Sequence, residues 1–113
     1  MVMILEGKNK IRDLIDADID NGQLGTGTTA ETEADTGLET AVGATEIAVT
    51  TTTASKQLQI DYNLSSTIGN GSTYSEYEFQ STEAAVSYNR ITFFGIAKTS
   101  SEEFQISTIL DIE

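Results

Sequence analysis

The apolar residues of this chain recur with two different periods, and the switch between them limits the folds open to it. Over residues 4–19 the spacing is helical. Ile4, Ile11, Leu14, Ile15 and Ile19 fall close to one face, while Lys8, Lys10, Arg12 and Asp13 lie mostly elsewhere. Gly7 weakens the start, so the firm part of the predicted helix covers about residues 8–18. From residue 47 onward the period is two. Ile47, Val49 and Thr51 alternate with polar neighbours, as do Leu58, Ile60, Tyr62 and Leu64 and, near the end, Phe104, Ile106, Thr108, Leu110 and Ile112. Residues 74–80 and 86–98 read as two further strands, and Ile68-Gly-Asn-Gly-Ser has the composition of a turn. The expectation is a mainly β chain, an antiparallel β-sandwich with one N-terminal amphipathic helix, folding as a single domain over residues 1–113.

Between helix and strands the apolar signal nearly vanishes. Residues 20–43 alternate Gly, Thr and acids, which predicts a long extended loop held by the isolated anchors Leu24 and Leu38. A structureless stretch of that length is unusual in a compact domain unless neighbours pin it or assembly orders it. The helix and this segment are therefore the expected attachment surfaces, with Ile4, Ile11, Leu14, Ile15, Leu24 and Leu38 as the interface candidates.

Residues 13–55 contain nine carboxylates and no Lys or Arg, within a chain of net charge -12. Three readings stay open for that tract: a solvated acidic face, an adaptation to high salt, or a surface matched to a basic groove on a partner. A charge of this sign repels phosphates and anionic lipid, so neither nucleic acid nor a membrane is expected as a partner. No apolar run reaches membrane-spanning length, and residues 1–7 are too short and too soon charged for a signal peptide, which predicts synthesis in the cytoplasm. The chain has no Cys and no His. That removes thiol nucleophiles, disulfides, the usual general base near neutral pH and the commonest zinc ligand.

Few constellations carry chemistry. Asp16, Asp18 and Asp20 alternate before a glycine in the manner of a calcium loop. Counting from Asp16, however, the sixth position is Asn21 where Gly is wanted, and the twelfth is Gly27, which cannot ligate. An acidic helix exit is the plainer reading. The glycines of residues 22–27 lack the lysine of a phosphate loop and read as close backbone approach. Glu76 and Glu78 would share a strand face as a carboxylate pair, but solvated strand charges are the expectation. Arg90, in an aromatic-rich strand, is expected to pack or to pair with an acid. No motif implies a cofactor.

Several short motifs, in order, carry a likeness. Ile11-Arg-Asp-Leu, Gly25-Thr-Gly-Thr-Thr-Ala, Asp35-Thr-Gly-Leu, Asn70-Gly-Ser-Thr-Tyr-Ser-Glu, Arg90-Ile-Thr-Phe and Ile96-Ala-Lys-Thr-Ser together resemble small virion proteins of tailed phages and tailed archaeal viruses. Glu31 stands where that family commonly has Pro, and Tyr77-Glu-Phe-Gln is less hydrophobic than the family's strand. The resemblance implies an oligomeric, non-enzymatic β-sandwich subunit of a tail fibre, baseplate or adaptor, made in the host cytoplasm and carried in the virion against other virion proteins. A capsid decoration or turret protein and a glycan- or receptor-binding fibre tip are its alternatives, the latter drawing on Tyr74, Tyr77 and Tyr88. The acidity would suit a virus of a hypersaline host.

Overall fold

The computed structural model describes residues 1–113. Residues Leu5–Asp18 form helix α1. Eight strands follow: β1 (Asn21–Gly25), β2 (Ile47–Ala48), β3 (Thr50–Ala54), β4 (Gln57–Leu64), β5 (Thr73–Ser81), β6 (Val86–Ser87), β7 (Ile91–Ala97) and β8 (Phe104–Asp111). They build two antiparallel sheets. In one, β1 lies between β2 and β5, and both β6 and β7 pair with the other edge of β5; the second runs β3-β4-β8. The chain is mainly β with one N-terminal helix, a β-sandwich as its periodicities predict.

The period-two segments explain the second sheet directly. Leu58, Ile60, Tyr62 and Leu64 are the buried face of β4, and β8 pairs with it in unbroken register from Gln57↔Asp111 to Leu64↔Phe104. Facing them are Leu24 of β1 and Tyr74, Tyr77 and Phe79 of β5, which with Ile19 complete the core. Burying each such side chain contributes about 1.5–3 kcal/mol. Edge-to-face ring contacts, Tyr62 on Tyr77 at 5.1 Å and Tyr74 on Phe104 at 5.6 Å, join the layers. The Tyr62 hydroxyl donates to the Thr45 carbonyl at 2.7 Å, and the Thr45 hydroxyl in turn donates to the Val42 carbonyl at 2.6 Å.

Helix α1 extends this core along β3 and β4 rather than capping it. Asp16 accepts from the Thr51 hydroxyl at 2.5 Å, the Arg12 guanidinium donates to the Ala54 carbonyl at 2.6 Å, and Asn9 accepts from the Lys56 amide at 2.7 Å. Those contacts step down the β3–β4 hairpin, and the molecule is correspondingly elongated, 49 × 28 × 25 Å. The buried stripe is narrower than its periodicity predicts. Ile15 packs on the core and Ile11 is half-buried, but Leu14 is 59% exposed and Ile4 73% exposed.

Two expectations are corrected. Residues 20–43 are not one loop, because β1 lies inside them and is a central strand paired with β5 over five residues. Leu24 is accordingly a core residue with no exposed surface and cannot be an interface anchor. Residues 86–98 are not one strand either. Tyr88–Arg90 break them into β6 and β7, where the Asn89 side chain, rather than a strand backbone, accepts the Phe79 amide at 2.8 Å.

Candidate functional site

The chain leaves β1 at Gly25, makes an excursion through residues 26–40, and returns beside its own departure. The Thr26 amide donates to the Thr40 carbonyl at 2.9 Å, the Val42 amide to the Leu24 carbonyl at 3.0 Å, and Gly25 bridges Ala41. The result is an Ω-loop with its ends zipped together. It lies over the outer face of β5, which is why that strand is buried on both faces.

One side chain holds the loop in place. The Glu76 carboxylate, on β5 and with no exposed surface, accepts four hydrogen bonds: from the amides of Gly27 at 2.8 Å, Glu39 at 2.9 Å and Thr40 at 2.8 Å, and from Arg90 Nε at 2.8 Å. Arg90 Nη1 then reaches Asp35 in the loop at 3.1 Å. A neutral chain of donors would not satisfy a buried carboxylate so fully; here both oxygens are saturated. Burial pushes the Glu76 carboxyl up, but the three amides and the guanidinium outweigh it and hold the group below the usual carboxylate range. Gly25 and Gly27 are required by this approach: a Cβ would sit 2.5 Å from Glu76 Oε2 at the first and 2.6 Å from it at the second. Arg90 Nη2 is buried without a partner beside an open cavity of about 530 Å³ that Glu31, Asp35, Tyr88 and Asn89 also line.

The neighbouring carboxylate behaves differently. Glu78 is nearly fully buried, accepts from the Ser87 hydroxyl, and carries no cation; burial, with Glu76 adding repulsion, raises its carboxyl above the ordinary value. Glu76 and Glu78 are thus not solvated strand charges, because the Ω-loop removes that face from water. Arg90 pairs with acids as expected.

The acidic tract is largely occupied within the chain. Glu39 accepts from the Thr28 and Thr29 amides and the Thr29 hydroxyl, Asp35 from the Thr32 amide, and Glu31 from the Thr92 hydroxyl. With so few cations available, Ser and Thr hydroxyls do the pairing, and these bonds hold the carboxyls of Asp20, Glu31 and Glu39 below their ordinary range. The calcium candidates disperse in the same way. Asp16 turns to Thr51 on β3, Asp18 to Ser81 and Tyr88, and Asp20 to both the amide and hydroxyl of Thr82. No group of acids in the structure is placed to hold a metal ion.

Of the six interface candidates, Leu24 lies in the core and Ile11, Ile15 and Leu38 are half-buried, leaving Ile4 and Leu14 exposed. A different surface escaped the sequence reading. Tyr77, Ile91, Phe93, Ile96, Phe104 and Ile106 line an open apolar groove of about 350 Å³ where the β7 edge of one sheet faces the β8 edge of the other. Its signal was the uncharged run of residues 91–97, read only as a strand. Comparison with protein-family models, with curated proteins and with solved structures finds no match to this chain.

Proposed function

We propose that this chain is a non-enzymatic virion structural subunit of the tail, a fibre, baseplate or adaptor component that acts through protein–protein contacts. The observation that carries this reading is where the motifs of the resemblance meet. Gly27 and Asp35 of the second and third motifs, Glu76 of the fourth and Arg90 of the fifth form one clamp. Lys98, of the last motif, is buried and donates to Asn70 Oδ1 at 2.7 Å, while its backbone bonds Gly71 and Ser72. Segments scattered over most of the chain thus serve one purpose, holding the Ω-loop and the turn at residues 65–72 rigid. Apart from Arg90 Nη2, the polar groups of this clamp are consumed by internal bonds, as in a scaffold that displays a surface.

The fibre-tip alternative is weaker on this geometry, since Tyr74 and Tyr77 are core residues and only Tyr88 keeps an exposed ring. Mass spectrometry and antibody labelling of purified particles from cells making the chain test the proposal. Labelling is expected at the tail. Label on the capsid surface would favour the decoration alternative, and absence of the chain from particles would end the virion reading.

A further inference from the structure

We propose that the groove between β7 and β8 receives residues 1–5 of a second copy of this chain. The inference deepens the structural-subunit reading, on which it rests, by naming one contact and its occupant.

The groove is an unfinished edge. β8 pairs with β4 over eight residues without a bulge, and its other edge pairs with nothing. Phe104–Leu110 offers that edge no Lys, no Pro and no charge, the devices by which strands normally resist further pairing. Opposite it, β7 is uncharged throughout, with Ile91 and Ile96 partly exposed. Tyr77 lines the groove, and its hydroxyl is buried without a hydrogen-bond partner. An extended segment laid here would gain main-chain bonds along β8 and place alternate apolar side chains in the groove.

The chain carries a segment of that description. Met1-Val-Met-Ile precedes α1 outside any helix or strand, with Ile4 extended, and Leu5 opens the helix, all five side chains apolar and exposed. Its own groove is out of reach. Asn9 sits at the Lys56 amide, whereas the groove lies beside Ile106, opposite Tyr62 on β4. Six residues of strand separate those levels, about 20 Å, and Leu5 is a further helical turn away, about 6 Å. Residues 1–4 span at most about 14 Å when extended. Insertion must therefore be between copies. Charge complementarity favours it as well: Lys8 and Lys10 follow the segment, outnumbering Glu6, while Glu103 lines the groove. Because segment and groove are different surfaces, the contact is head-to-tail and generates a ring or a filament.

Light scattering on the full chain after size-exclusion chromatography, over a hundredfold range of concentration, tests this. Wild type is expected to rise to at least twice the monomer mass. Ile4→Asp spoils the segment and Ile96→Asp spoils the groove, and each variant alone is expected to stay monomeric with no loss of circular dichroism or melting temperature, since both side chains are exposed and Asp at position 4 caps α1. Mixed in equal amounts, they retain one good segment and one good groove between them, so a 1:1 heterodimer and nothing larger should form. Association that survives either substitution, a mixture that remains monomeric, or a wild type that is monomeric throughout overturns the proposal. A monomeric wild type that still enters particles would do so while sparing the subunit reading; head-to-tail association by a chain absent from particles would do the reverse.

Discussion

Two regions of this molecule look like sites, and they differ in how much of their bonding capacity is spent. The Ω-loop clamp gathers buried charge around Glu76 and Arg90, the usual mark of a functional centre. Yet the Glu76 carboxylate is saturated by three amides and a guanidinium, all from the chain itself. The β7–β8 groove carries one charge in its lining, Glu103, but the outer edges of β7 and β8 are unpaired and the buried Tyr77 hydroxyl lacks a partner. Perturbed polar groups mark where this fold is held together. Unpaired strand edges and exposed apolar side chains mark where it is incomplete, whereas at the clamp only Arg90 Nη2 is left without a partner.

The sharpest way to break that contrast is Glu76→Ala. It strands Arg90 and three loop amides in a buried space, and stripping one partner from a buried ion pair costs about 3–5 kcal/mol. At roughly 4 °C per kcal/mol for a domain of this size, melting should fall by about 12 °C or more. A shift within a degree or two would mean that the clamp is not what fixes the loop. Gly27→Ala probes the same place more gently. Its Cβ would meet the Glu39 Cβ at 2.6 Å as well as the Glu76 carboxylate, so a loss of about 1–3 kcal/mol is expected by denaturant unfolding.

The two core tyrosines divide the regions between them. Tyr62→Phe deletes a bond to the Thr45 carbonyl and should cost about 0.5–1.5 kcal/mol. Tyr77→Phe removes a hydroxyl that has no partner in the single chain, so stability should hold or rise. Equal losses from both substitutions in the monomer would erase the distinction between a spent and an unspent site.

How much of this was legible in the sequence follows from which signals survive without tertiary contacts. The helix, β4 and β8 were visible because their apolar residues repeat with the period of the structure they form, whereas in β5 a bulge between Tyr74 and Glu76 breaks the alternation. β1 was not: Asn21-Gly-Gln-Leu-Gly offers one large apolar side chain, and its strand state comes from pairing with β5. The clamp was half visible. Arg90 was expected to pack or to pair with an acid, but burial of Glu76 depends on a loop that crosses β5 from far along the chain, and nothing in the local sequence of residues 73–81 reports a second covered face. The groove was hidden for the opposite reason, since an apolar edge strand and an apolar core strand have the same composition.

The finest test separates two carboxylates one strand-step apart by the sign of their pH dependence. Glu76 is held below its ordinary value of 4.5, so its contribution is fully present above that pH and is lost as pH falls through the lower folded value. Glu78 is raised above 4.5, chiefly by burial, so the folded chain holds its proton more tightly than the unfolded one. Stability therefore declines as pH rises from the ordinary value through the raised one, and the cost persists at neutral pH. Glu78→Gln keeps the acceptor for the Ser87 hydroxyl and removes the ionisation. It is expected to raise the melting temperature at pH 7 and to leave it unchanged near pH 4, where both chains are uncharged at this position. A variant no more stable than wild type at pH 7 would mean that the loop admits enough water to solvate Glu78, and the outer face of β5 would then be only partly closed.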